Sequence, residues 1–196
     1  MRRYTRSLLA GAAIAVAPAS PALAQDEAFE LWLNPSIGTD LDADTAVEIE
    51  TAQRFRSEED GRVDTYYVRA WLLQDIADNA TLGGAVEYRI NDGGSNEVRT
   101  IQQISASHGA LKTRLRLEQR FVDDADQMGL RLRPRVGVGF DLSEDGRWSA
   151  GGDAELFWTL RGNNSGSDTG LTGLRMTLGV DYAVSENLSL GLSYLR

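Results

Sequence analysis

The chain has 196 residues, a formal charge of −9 and no cysteine. Lack of cysteine excludes a disulfide framework, a thiolate metal centre and a lipoprotein attachment site. The acidic balance argues against nucleic acid as a partner.

Residues 1–24 have the layout of an export signal. Arg2, Arg3 and Arg6 form a basic start, 8–17 an apolar run, and Ala22-Leu23-Ala24 a small-residue cleavage site. The run is too short to span a bilayer as a helix, so removal is expected rather than retention as an anchor. Tyr4-Thr5-Arg6-Ser7 after the arginine pair favours general secretion over twin-arginine export. Removal leaves 196 − 24 = 172 residues, one domain over 25–196, with a charge near −9 − 3 = −12. No later segment approaches the roughly 20 apolar residues of a spanning helix.

From there the sequence alternates. A strand is expected over 28–41, then over 45–56, where Val47, Ile49, Thr51, Gln53 and Phe55 oppose Glu48, Glu50, Arg54 and Arg56. Segment 65–74 is ambiguous because both faces carry large apolar groups; Arg69 is set inside, with Tyr66, Val68 and Leu72 outside. Strands over 81–91 and 96–107 follow. In LKTRLRLEQRF (111–121), Lys112, Arg114, Arg116, Glu118 and Arg120 share one face, a segregation that a helix would scatter. Over 130–142, Leu130, Leu132, Pro134, Val136, Val138 and Phe140 oppose Arg131, Arg133, Arg135, Gly137, Gly139 and Asp141. The last strands are 148–160, 173–183 and 187–194. Glu59-Asp60-Gly61, Asn91-Asp92-Gly93-Gly94, Glu144-Asp145-Gly146 and Asn163-Asn164-Ser165-Gly166 supply turns.

About ten antiparallel strands of roughly 9–14 residues fit either a sandwich or a transmembrane barrel. The barrel is favoured: soluble strands usually run about 5–6 residues, against 9–11 for a membrane strand. The apolar faces also set Tyr66, Tyr88, Phe121, Trp148, Trp158 and Tyr194 near strand ends, as interfacial girdles require. The expected fold is all-β, a single up-and-down antiparallel transmembrane barrel with a charged lumen, located in the bacterial outer membrane. Two features sit awkwardly. Gln53, Gln102 and Gln119 fall on lipid faces, pointing to bulges, shifted register or headgroup positions. With both termini periplasmic, the connections near 42–45, 107–110 and 143–147 would be extracellular yet short, and those near 57–63 and 161–170 periplasmic.

The interior faces would hold Glu48, Glu50, Arg54, Arg56, Arg69, Glu87, Arg89, Glu97, Arg99, Lys112, Arg114, Arg116, Glu118, Arg120, Arg131, Arg133, Arg135, Asp141, Asp153, Glu155, Arg175 and Asp181. Thirteen cations against nine anions leave a surplus near +4 inside an acidic chain. A paired network filling the lumen is favoured over a narrow anion-preferring passage, because side chains largely fill a barrel of this size.

The tryptophan of FELWLN (29–34), the Glu-Arg pattern through 45–56 and 87–99, RLRLEQRF (114–121) and RLRPR (131–135) resemble the bacterial family catalogued as domain of unknown function 2490. RLRLEQRF is the most specific piece. The resemblance implies a small exported outer-membrane barrel and brings no catalytic residues with it. Ser193-Tyr194-Leu195-Arg196 lacks the terminal aromatic often read by the barrel-assembly machinery, although Tyr194 is in phase.

Other motifs have plainer readings. His108 beside Ser105 and Ser107 raises a lipid hydrolase at the membrane rim, yet neighbours on one strand point to opposite faces, and His108-Gly109 reads as a loop. The clusters Asp40-Asp42-Asp44, Glu58-Glu59-Asp60 and Asp123-Asp124-Asp126 lack a calcium loop and read as solvated turns. Segment 163–170 precedes no helix, so it offers no phosphate-binding helix end. Trp32 and Trp71 are open to sugar stacking; interfacial anchoring covers Trp148 and Trp158. The expectation is a barrel without catalysis, metal or cofactor, with outer-membrane lipids and the assembly machinery as partners. It would act structurally or as a binding platform, with an anion channel as the alternative and a lipid hydrolase behind it.

Overall fold

The computed structural model describes residues 10–15, 30–56 and 64–196. Ten long strands follow one another: β2 (Glu30–Asp40), β3 (Thr45–Arg56), β4 (Thr65–Ala77), β5 (Ala80–Asn91), β6 (Glu97–His108), β7 (Leu111–Val122), β8 (Gly129–Asp141), β9 (Trp148–Arg161), β10 (Gly170–Ser185) and β11 (Leu188–Leu195). Each pairs antiparallel with its sequence neighbours, giving one up-and-down, barrel-like sheet with no helix among the described residues. A further short strand, β1 (Ala10–Ala15), lies between the two ends of this ladder, parallel to β11 and antiparallel to β2. It comes from the segment read as an export signal, whose cleavage site at 22–24 lies outside the described residues.

The sequence alternation decides which face is buried. Ile37, Val68, Leu72, Val86, Leu115, Val136, Phe140, Leu174 and Leu178 are exposed on the outer face, and so are many other large apolar side chains. Among the described residues, buried apolar ones are few: Ala46, Ala52, Tyr67, Trp71 and Ile101. The interior is charged. Arg69, Glu87, Arg89, Glu97, Arg99, Arg116, Glu118, Arg133 and Glu155 are all buried. This inverts the usual soluble arrangement, in which charged residues are almost never fully buried unless paired.

Local irregularities have simple causes. Pro134 carries no backbone donor, and the β8–β9 ladder is interrupted there, between Leu132↔Trp158 and Arg135↔Glu155. The outward glutamines do not mark a bulge in β6–β7, whose register runs unbroken from Glu97↔Val122 to His108↔Leu111. Instead Gln119 Nε2 donates to Gln102 Oε1 at 2.9 Å, and Thr100 Oγ1 donates to Gln119 Oε1 at 2.5 Å. Polar groups on an apolar face are tolerated when they satisfy one another.

The two ends differ. At one end the connections 41–44, 78–79, 109–110 and 186–187 run two to four residues, with 142–147 at six. The other end carries the longer connections 57–64, 92–96, 123–128 and 162–169, and both β2 and β11 have their free ends there. Gly109 (φ 58°) and Gly146 (φ 67°) sit in short-end turns, in the left-handed region that glycine enters without steric penalty.

Candidate functional site: an arginine–glutamate network

Period-two alternation puts one residue in two on the inner face, so a run such as Arg114-Leu115-Arg116-Leu117-Glu118 delivers three charges to a single interior surface. Neighbouring strands do the same, and the register sets these charges side by side. One row reads Glu50↔Arg69↔Glu87↔Arg99↔Arg120 across β3 to β7. Opposite charges alternate along most of it, the arrangement that stabilises cross-strand pairs.

Side chains complete the network. Glu87 is 0 % exposed and accepts Arg69 Nε at 2.8 Å, Arg69 Nη2, Arg89 Nε at 3.0 Å and Arg89 Nη2 at 2.8 Å. Arg99 Nη1 stands 3.5 Å from the same carboxylate. Arg69 also donates to Glu50 at 2.8 Å, and Arg99 to Glu97 at 2.5 Å. Arg120 Nε reaches Glu97 at 2.6 Å. Further round, Arg133 bridges Glu118 at 2.5 Å and Glu155 at 2.6 Å. Arg114 Nη2 bonds Glu155, and Arg175 Nη1 lies 3.7 Å from it. Two chains result, Glu50–Arg69–Glu87–Arg99–Glu97–Arg120 and Glu118–Arg133–Glu155 with Arg114 and Arg175. A buried charge is tolerable only with such partners.

Among the residues whose side chains are described, those set on the inner face by alternation lie there, Arg56 falling outside that set, but the roles differ. Glu48 bonds Ser36 and, among the described residues, forms no ion pair. Arg135 reaches Asp153 at 3.6 Å and is partly exposed. Arg116 takes the amide oxygen of Gln103 through Nε (3.0 Å) and Nη2 (2.8 Å), with Glu118 only at 4.0 Å. Arg54 and Arg131 rest on aromatic rings: Arg54 lies 3.9 Å from the Trp32 ring centre and Arg131 5.7 Å from Phe157.

Aromatics are the part that charge patterning missed. Tyr67 lies under Arg69 (4.7 Å) and Arg89 (4.9 Å), Phe157 under Arg133 (4.6 Å) and Arg175 (5.0 Å), and Trp71 under Arg116 (5.2 Å). Tyr67 also donates to Glu50 at 2.9 Å, and Trp71 Nε1 does so at 3.3 Å. Their signal was available: Tyr67 and Trp71 share strand parity with Arg69, and Phe157 with Glu155. It also explains why both faces of β4 read as apolar, since the inner one pairs rings with guanidinium planes.

The remaining motifs fall elsewhere. His108 Nδ1 contacts Asn79 Nδ2 at 3.1 Å on the exposed rim. Ser105 and Ser107 line the interior, on the other face of β6. Asp42 Oδ1 accepts the backbone N–H of Asp44 (2.9 Å) and Thr45 (2.8 Å), which holds its carboxyl below the usual aspartate range. Asp126 accepts the N–H of Ser165 at 3.2 Å, tying two loops of the long-loop end together. The cluster at 58–60 lies outside the described residues. Among the described residues no three His, Cys, Asp or Glu converge as a metal-binding group would.

A family model described as a protein of unknown function, DUF2490, matches residues 29–196. An uncharacterised protein of Methylorubrum extorquens strain AM1 is 25% identical over 206 residues, covering 100% of this chain and 90% of that relative. No solved structure matches. The family match takes in all ten strands of the ladder and every arginine and glutamate of the interior network, and the chain belongs to the DUF2490 family of proteins of unknown function.

Proposed function

We propose that this protein is a small outer-membrane β-barrel without catalysis, serving a structural or binding role at the bacterial envelope. The observation that carries the reading is the inverted burial: apolar side chains outside, Glu87 and Glu118 fully buried inside. Two aromatic belts support it. Phe55, Tyr66, Tyr88, Phe121 and Trp158 gather on the outer face toward the long-loop end, and Phe140, Trp148 and Tyr182 toward the short-turn end. Trp148 and Trp158 are ten residues apart on β9. At about 3.3 Å per residue and a tilt near 40°, that separation is about 25 Å along the axis, the height of a barrel's apolar band.

The ladder ends support closure. β2 and β11 run antiparallel and hold the same faces in phase through β1, with Ile14 opposite both Leu33 and Leu192. Removal of residues 1–24 leaves two unpaired edges that a barrel cannot leave open to lipid. Direct β2–β11 pairing then gives an even, ten-stranded antiparallel ring. Outer-membrane lipids and the barrel-assembly machinery are the implied partners. The packed Arg-Glu network favours a filled interior over an anion channel, and the opposite facing of His108 and Ser107 weighs against a hydrolase.

The test uses residues 25–196, a chain free of native cysteine. Heat-sensitive gel mobility and membrane fractionation are expected. Leu33→Cys combined in turn with Leu190→Cys, Leu192→Cys or Tyr194→Cys should cross-link in one pairing. Recovery in the soluble fraction, with no mobility shift and no cross-link, would refute the barrel.

A further inference from the structure

The interior is not uniform along its axis. Toward the long-loop end it is packed with Arg89, Glu97, Arg99, Glu118 and Arg133, all buried. Toward the short-turn end small residues widen it, among them Ser107, Gly137, Gly139, Gly151 and Gly179. Close approach is built in there: a Cβ on Gly139 would lie 2.8 Å from Lys112 Nζ.

Three cavities lead inward from the short-turn end. The outermost, about 430 Å³, reaches the turn at Gly109 and Ala110. The next, about 360 Å³, shares Lys112, Gly151 and Asp181 with it. The deepest, about 290 Å³, shares Arg135, Asp153, Thr177 and Ser193 with the second. The space is therefore a cup whose floor is the charge network.

That floor is under-neutralised. Arg69, Arg114, Arg116, Arg133, Arg135 and Arg175 line the deepest cavity against Glu50, Asp153 and Glu155. With Glu87 bonded to Arg69 and Glu118 to Arg133 from behind the lining, six cations stand over five anions, and the shortfall falls on Arg114, Arg116 and Arg175. Glu155 is shared by Arg114, Arg133 and Arg175, of which Arg133 also has Glu118, and Arg116 has an amide as its close partner. Arg114 Nε and Arg133 Nε are buried and bond no protein acceptor. Guanidinium forks left short of acceptors in a low-dielectric site bind oxyanions bidentately. Ligand pockets span about 300–1,000 Å³, so the deep cavity suits a compact solute. At the mouth, Asp141 and Asp181 face Lys112, so the cationic potential belongs to the floor.

We infer that the cup is a binding site for a small, multiply charged oxyanion of the phosphate class, entered from the short-turn end and held on its floor by Arg114, Arg116 and Arg175. The inference rests on the reading of the protein as a barrel with a filled lower lumen. It gives that barrel a ligand class.

The experiment is calorimetric titration of inorganic phosphate into residues 25–196 folded in detergent, with sulfate and succinate as parallel probes. The expected result is saturable one-site binding of phosphate that weakens about tenfold or more in Arg175→Gln, whose ion pair is long and whose loss spares the buried core. Glu155→Gln removes the competing carboxylate and should tighten binding. Arg147→Gln, in an exposed turn, should leave it unchanged. Tighter succinate than phosphate binding would overturn the phosphate class. A chain with barrel-like gel mobility that binds none of the probes, or binds phosphate equally in Arg175→Gln, would overturn the site and leave the barrel standing. Failure of the barrel reading would appear separately, as soluble protein without a mobility shift.

Discussion

Glu87→Gln tests the network at its centre. Glu87 accepts two hydrogen bonds on each carboxylate oxygen, from Arg69 and from Arg89, with Arg99 at 3.5 Å. Glutamine keeps the shape but turns one oxygen into a donor, so two N–H groups meet an NH₂ in either amide orientation. Hydrogen bonds to charged groups contribute about 1.5–3 kcal/mol each, and two are lost. Breaking a buried ion pair by removing one partner costs about 3–5 kcal/mol, a comparable figure by another route. The expected destabilisation is therefore about 3–5 kcal/mol. It would be read by denaturant unfolding of detergent-folded protein, followed through tryptophan fluorescence. Glu48→Gln, on the same face but outside the ion pairs, should cost under about 1 kcal/mol, in line with ordinary substitutions. A loss for Glu87→Gln as small as that control would mean that water, not Glu87, neutralises these arginines, and the reasoning would fall.

Three further outcomes are expected. Leu178→Arg replaces a side chain 65 % exposed in the middle of β10. In a bilayer it should cost about 2–4 kcal/mol near the midplane, whereas a change within about 0.5 kcal/mol would mark a water-facing surface. Gly137→Ala brings a Cβ to 2.7 Å from the Gly152 carbonyl oxygen and should cost about 1–3 kcal/mol in the same unfolding assay; Gly84→Ala, with open space around it, should not. Asp42 contributes stability above the ordinary aspartate pKa and loses it as pH falls through its lowered value. Asp42→Asn should therefore flatten the acid side of the melting profile between those two pH values, and an unchanged profile would rule out the turn hydrogen bonds as its cause.

Local alternation was enough to define the strands and their faces. Segments 45–56 and 111–121 alternate so strictly that a helix would scatter their charges, and β3 (Thr45–Arg56) and β7 (Leu111–Val122) follow those segments within a residue. Period two also assigned every arginine and glutamate of the network to the interior, because a one-residue slip would turn them all outward. Tertiary structure alone decided who meets whom. Register sets Arg69 between Glu50 and Glu87, while the curl of the sheet brings Arg175 of β10 over Trp32 of β2, at opposite ends of the ladder. Partners so far apart in the chain leave no mark in local alternation. The same holds for the asymmetry of the interior. Glycine and serine in β8–β11 look like unremarkable small residues in sequence, and only their stacking at one end makes a cup above an arginine floor.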